Sequence, residues 1–140
     1  MLETLQPKLR ARVKRRLQKE YFAWLTTVGS NLAPQPRPIW FVWQDDSFLI
    51  YSQPDAHKVQ HIARHARVAV HFNADEMGEN EILVFIGTAS IDPQAPPAHK
   101  VPAYLRKYRK GIADLQMTPE QMAGKYSVAI RVKPTSVRTG

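Results

Sequence analysis

Apolar residues at Leu5, Leu9, Val13, Leu17 and Tyr21 recur every fourth position, which lays one hydrophobic stripe along a helix over residues 1–20. Lys8, Arg10, Arg12, Lys14, Arg15, Arg16 and Lys19 fill its other faces, and Pro7 sits in the first turn, where a missing N–H costs little. A single stripe needs a single surface, so this helix is expected to dock on a sheet or a partner subunit.

The pattern then changes to short runs rich in β-branched and aromatic residues, bounded by turn formers: 22–28, a turn at Gly29, Ser30 and Asn31, then 39–43 and 48–51. Asp45 and Asp46 interrupt the last two runs. Pro34, Pro36 and Pro38 donate nothing to a sheet ladder, so 34–38 is expected to be an extended edge or a loop. Asp55 is placed to cap a short helix over 56–65 with Val59, Ile62, Ala63 and Ala66 on its buried face.

Strands are predicted at 68–72 and 82–91, joined by an acidic turn at Asp75, Glu76, Gly78 and Glu79. Gly87 inside the second of these suggests a bulge or a close approach. A proline-rich linker (92–97) leads to a helix over 98–110 that ends at Gly111. Thr118-Pro119-Glu120-Gln121 is a capping box opening another short helix, and 126–132 is a closing strand. The predicted architecture is mainly β with peripheral helices: one domain over 1–140, a small antiparallel barrel of about six strands, with an amino-terminal helix (1–20) and a helical segment (98–124) before the last strand.

Composition narrows the chemistry. With no cysteine there is no disulfide, thiolate metal site or thiol nucleophile, which leans towards a cytoplasmic setting. No apolar run approaches the ~20 residues of a membrane-spanning helix, so no membrane role is expected. Twenty Lys and Arg against twelve Asp and Glu leave a formal charge of +8, a surface that attracts anions: nucleic acid, acidic lipid or a polyanionic small molecule.

Few residues form a recognisable catalytic set. No serine-hydrolase elbow, P-loop or dinucleotide fingerprint is present. His57, His61 and His65 share a helix face, but His65 lies about 12 Å along the axis from His57, too far for one metal centre, and no metal site is expected. Lys58, in the first turn of the 56–65 helix and beside His57, is suited to an anion, with Ser52 at a nearby strand end and Arg37 offering a planar fork. Trp40 and Phe41 point to opposite faces of their strand, with Trp43 on Phe41's side. A binding cleft without an acid, base and nucleophile fits a cofactor that carries its own chemistry.

Several segments together resemble the flavin-binding split barrels of the pyridoxamine 5'-phosphate oxidase class, and within it the small deazaflavin (coenzyme F420) oxidoreductases. They are Phe22-Ala23-Trp24-Leu25-Thr26-Thr27-Val28, Arg37-Pro38-Ile39-Trp40-Phe41-Val42-Trp43, Tyr51-Ser52-Gln53-Pro54-Asp55-Ala56-His57-Lys58-Val59, Arg67-Val68-Ala69-Val70-His71-Phe72, Gly87-Thr88-Ala89 and Pro102-Ala103-Tyr104-Leu105-Arg106-Lys107-Tyr108. The resemblance implies a six-stranded antiparallel split barrel and a homodimer with two cofactor sites at its interface. It implies that Arg37, Pro38, Ile39, Trp40 and Phe41 run along the ring and ribityl chain, that Tyr51 and Ser52 approach the phosphate arm, and that Lys58, next to His57, binds phosphate.

Two departures stand out. Many relatives carry an Asp/Asn-Gly-x-Pro turn between the first two strands, where this chain has Ser30-Asn31-Leu32-Ala33-Pro34, and the Ser-Arg-Lys phosphate triplet of the pyridoxamine oxidases is Ala56-His57-Lys58 here. The second argues against pyridoxamine phosphate oxidase activity itself. Coenzyme F420 carries an oligoglutamate tail that suits a basic surface, with Arg106, Lys107, Arg109 and Lys110 as rim candidates, so F420 is preferred to FMN. The expected function is hydride transfer between this cofactor and a small organic substrate, with no catalytic side chain of the protein's own. The alternatives are a basic module that binds nucleic acid without catalysis and a flavin carrier or sensor.

Overall fold

The alternating segments become a single seven-stranded antiparallel sheet in the order β2-β1-β5-β6-β7-β4-β3. Its strands are β1 (Ala23–Val28), β2 (Pro34–Ile39), β3 (Val42–Gln44), β4 (Ser47–Ser52), β5 (Arg67–His71), β6 (Leu83–Ile91) and β7 (Val128–Thr139). The computed structural model describes residues 1–74 and 82–140; the expected acidic turn at Asp75, Glu76, Gly78 and Glu79 lies outside them. β2 and β3 are the two edges of the sheet, yet only Trp40 and Phe41 separate them in the chain. The edges must therefore meet, and the sheet rolls into a split barrel.

That crossover explains why seven strands form where six were expected. The predicted run 39–43 is divided because the backbone of Phe41 bonds to helix side chains instead of a sheet neighbour. Its N–H donates to Tyr108 Oη (2.9 Å), and its carbonyl accepts from Lys107 Nζ (3.1 Å). The proline-rich segment, expected as extended edge or loop, is a true edge strand: all six residues of β2 pair with β1, and the outer side of β2 needs no donor.

Inward residues of β1, β2, β4, β5, β6 and β7 fill the barrel: Ala23 and Leu25, Ile39, Phe48 and Ile50, Val68 and Val70, Leu83 and Phe85, Ile130 and Val132. α1 (Pro7–Lys19) seals one end with Val13 and Leu17, each burial contributing roughly 1.5–3 kcal/mol. A short 3-10 turn (Leu2–Thr4) precedes it, so the expected helix over 1–20 is broken before Pro7, and Tyr21 falls beyond its end. α2 (His57–Arg64) buries Ile62 and partly buries Val59, but Ala63 and Ala66 are exposed; a helix this short presents only one residue per turn to the barrel. Its N-cap is Ala56, without a side-chain cap, so Asp55 does not take the capping role expected of it.

A second core lies on the other face of β4 and β7, where Leu49, Tyr51 and Ala129 pack under α3 (Pro102–Asp114) and α4 (Pro119–Lys125) through Tyr104, Tyr108, Ile112 and Met122. The capping box of α4 forms as expected, with Thr118 Oγ1 accepting from Gln121 N (3.1 Å) and Thr118 N donating to Gln121 Oε1 (2.9 Å). α3 does not end at Gly111. It runs through it and buries Ile112 one residue on, while a Cβ on Gly111 would strike Tyr21 Oη and stand 3.0 Å from the Trp40 ring, so the glycine gives these rings room rather than ending the helix.

β7 extends to Thr139, past the expected 132, because its second half pairs with β6. The register shifts at Ile86/Gly87, as the glycine suggested: a Cβ on Gly87 would overlap Lys133 O and approach Pro134 Cα to 2.8 Å. Asp45 (φ 54°) and Asp46 (φ 55°) form the two-residue turn between β3 and β4, both in the left-handed region that such hairpin turns require.

Candidate cofactor site

Two clefts meet at Lys58. The first, about 510 Å³, lies between the start of α2 and the end of the β1–β2 hairpin. Thr27 and Gln35 are paired across the strands and line it with Arg37, His57, Lys58 and His61; Gly29, Ser30, Asn31 and Ala56 complete the wall. Among the described residues, no carboxylate lines it. The second, about 190 Å³, is apolar and aromatic: Pro38, Ile39 and Trp40 from the crossover, Tyr51 from β4, Tyr104 and Leu115 from α3 and its end, Met122 and Tyr126 from α4 and its end. Lys58 lines both.

Electrostatics in the polar cleft are those of crowded cations. Burial, followed by the Arg37 charge, lowers the Lys58 pKa. Burial, followed by the charges of His57 and Arg64, lowers that of His61. His61 is oriented by Thr27, whose buried hydroxyl lies 2.8 Å from His61 Nδ1, and its ring is 6.2 Å from that of His57. An anion entering this cleft relieves repulsion among these groups and meets no opposing charge. Among the described residues, no group of three metal-ligating side chains converges, and His65 lines neither cleft.

The aromatic cleft is built on a run of ring contacts. Tyr51 packs edge-on to Tyr104 (5.3 Å), Tyr104 lies 4.8 Å from Tyr108, and Tyr108 stacks on Trp40 at 4.5 Å and 6°. Burial raises the pKa of all three tyrosines, so they stay neutral. Trp40 is thereby held flat against α3, presenting a rigid wall.

The expected ligand-binding residues divide accordingly. Arg37, His57 and Lys58 come together in the polar cleft; Pro38, Ile39, Trp40 and Tyr51 come together in the aromatic one. Phe41 and Ser52 line neither. Phe41 is wholly buried in the barrel, and the hydroxyl of the buried Ser52 donates to Gln53 O (3.0 Å). The Tyr51 hydroxyl donates to Pro96 O, so only its ring faces the cleft. Thr27, His61, Tyr104, Met122 and Tyr126 were not singled out as binding residues. Thr27 carries one signal, a polar residue at the inward position of a strand whose other inward residues are Ala23 and Leu25.

The model of the pyridoxamine 5'-phosphate oxidase family matches residues 9–139. The chain belongs to this family, and its fold is the family's split barrel. Similar solved structures include a conserved hypothetical protein from Mycobacterium tuberculosis (18% identity, 92% of this chain and 82% of that one, TM-score 0.75). An F420 reductase is also similar (21%, 89% and 94%, TM-score 0.67), as is an FAD-binding protein from Mesorhizobium loti (16%, 92% and 90%, TM-score 0.66). A comparison with curated proteins finds no match. No helix among the described residues is long and apolar enough to cross a membrane.

Proposed function

We propose that the protein is an oxidoreductase that binds a flavin-type cofactor, coenzyme F420 in preference to FMN, across the two clefts and passes hydride between its ring and a small organic substrate. The observation that carries this reading is the position of Lys58, shared by an aromatic cleft and a cationic one that no carboxylate lines among the described residues. A molecule with a flat ring at one end and a phosphate at the other has the same division. The residues present fit such a group: Lys58, His57 and Arg37 take the phosphate, and Pro38, Ile39, Trp40 and the Tyr51 ring take the aromatic end, with buried Phe41 and Ser52 supporting these walls from behind.

The bound ring supplies the hydride. The chain's own residues would contribute binding and orientation: Trp40, stacked on Tyr108, would offer a fixed wall for the ring, and Lys58 would hold the phosphate end. The preference for F420 rests on charge. A net +8 and the exposed Arg106, Arg109 and Lys110 on α3 favour a cofactor with a polyanionic tail over one with a single phosphate.

The proposal includes a homodimer. Trp24 and Thr26 of β1, Ala69 and His71 of β5, and Val84 and Ile86 of β6 share the outer face of the sheet by register, and all are half-buried. Trp24 and His71 stack there at 6.3 Å, and this face suits a second copy that completes the cofactor sites.

Side-by-side titration with F420 and FMN tests the reading. F420 should bind more tightly, and Lys58→Ala should weaken it about tenfold or more. Failure of both cofactors to bind, together with salt-sensitive binding of DNA or RNA, would replace the reading with that of a basic nucleic-acid module.

A further inference from the structure

A third cavity, of about 260 Å³, lies on the opposite side of the crossover, between α1 and α3 over β3. Leu17, Val42, Trp43 and Ala103 make its apolar walls, and Lys107 and Arg106 stand at its α3 side, with Gln18 opposite. Among the described residues, no carboxylate lines it. Below the ~300–1,000 Å³ of pockets for drug-sized ligands, it suits a small molecule.

Lys107 is the unusual member. Lys107 is half-buried, and among the described residues one of its three N–H donors has an oxygen partner, Phe41 O at 3.1 Å. Its remaining contacts are the faces of Phe41 (3.7 Å to the centroid) and Tyr108 (5.3 Å). It makes no ion pair among the described residues, and the acid that acts on it, Glu20, is held by Arg16 at 2.9 Å. Burial accordingly pushes its pKa down to about 8. A half-buried cation with spare donors at an apolar cavity is suited to an anion.

We propose that the cleft between α1 and α3 binds a small organic monocarboxylate with an apolar body, its carboxylate on Lys107 and Arg106 and its body against Leu17, Val42 and Trp43. A carboxylate is favoured over a phosphate because the cavity offers one half-buried ammonium and one guanidinium at its mouth. Two oxygens are satisfied by these, whereas a dianionic phosphate would leave charged oxygens against Val42 and Trp43. The site is separate from the two clefts around Lys58, and it stands whether or not a cofactor binds there.

Octanoate is a suitable probe, followed by NMR on the Trp43 indole N–H and the Ala103 amide, with n-octanol and inorganic phosphate in parallel. Octanoate should shift both signals saturably, with a Kd on the order of 1 mM or below, and the other two should not. Lys107→Met should weaken octanoate about tenfold or more; Arg106→Gln, an exposed change that leaves the core intact, should weaken it about threefold or more; Ala103→Leu should fill the cavity and block it. Affinity should fall as pH rises above about 8, as the free ammonium is lost. Absence of shifts at Trp43 and Ala103, equal binding of octanol, or octanoate binding unchanged in Arg106→Gln and Ala103→Leu would overturn the proposal.

Discussion

Replacing Tyr108 by phenylalanine removes one oxygen from the point where α3 holds the Trp40–Phe41 crossover. Tyr108 Oη accepts from Phe41 N (2.9 Å) and lies within donor distance of Tyr21 O (2.6 Å) and Phe41 O (2.9 Å). Its single proton serves one carbonyl at a time, and Lys107 already donates to Phe41 O, so the proton belongs on Tyr21 O. Without the hydroxyl, the Phe41 N–H is left unpaired in a residue that is 0% exposed, whereas Tyr21, 43% exposed, can bond to water instead. An orphaned buried donor costs ~1–3 kcal/mol and the lost bond to Tyr21 ~0.5–1 kcal/mol, so Tyr108→Phe should destabilise the fold by about 2–3 kcal/mol. Urea unfolding should report this as a lower midpoint at unchanged slope, and heating as a Tm lower by about 4–12 °C. Tyr104→Phe is the control: its equally buried ring is kept, and its hydroxyl has no protein hydrogen-bond partner among the described residues, so it should cost under ~1 kcal/mol. Equal losses in the two variants would refute the assignment of Tyr108 as the hydrogen-bonding anchor of the crossover.

Three further outcomes are expected. Gly87→Ala should cost about 2–3 kcal/mol in urea unfolding and speed amide exchange in β6 and β7, because the new methyl meets the backbone of Lys133 and Pro134, which cannot rotate aside. Leu32→Gly should stabilise by roughly 0.5–1 kcal/mol: Leu32 is 68% exposed at φ 64°, and it occupies the glycine position of the turn found in many relatives, so little packing is lost when the strain is released. Stability should also depend on alkaline pH. The Lys107 pKa is about 8 in the folded state against 10.5 for an unperturbed lysine, so the unfolded chain binds more protons between these values and stability rises across that window; Lys58 acts in the same direction. Above pH 10 the buried tyrosines, whose pKa values are raised, reverse the trend. Urea midpoints from pH 7.5 to 11 should show a maximum near 10 whose rising limb is reduced in Lys107→Met.

Local chemistry was legible in the chain wherever it acts over a few residues. The fourfold stripe of α1, the Thr118 capping box, the edge role enforced by three prolines and the space demanded by Gly87 each follow from a side chain and its near neighbours. The grouping of Arg37, His57 and Lys58 was also legible, since a hairpin and the helix that follows it keep such residues near one another.

What sequence alone decided is therefore most of the strand content, the capped start of α4 and the surplus of positive charge. Tertiary structure decided where two continuous-looking patterns would be cut or continued. The apolar run 39–43 breaks at Phe41, where Tyr108 and Lys107, sixty-six and more residues away, capture its backbone, and Gly111 serves to admit the Trp40 and Tyr21 rings while α3 runs on to bury Ile112. The division of the site into a cationic and an aromatic cleft, and the half-buried Lys107 beside a third, likewise arise when the two edges of one sheet are brought together. Hydrophobic periodicity records which face of an element is buried; it carries no record of which distant side chain will bond to an exposed peptide group.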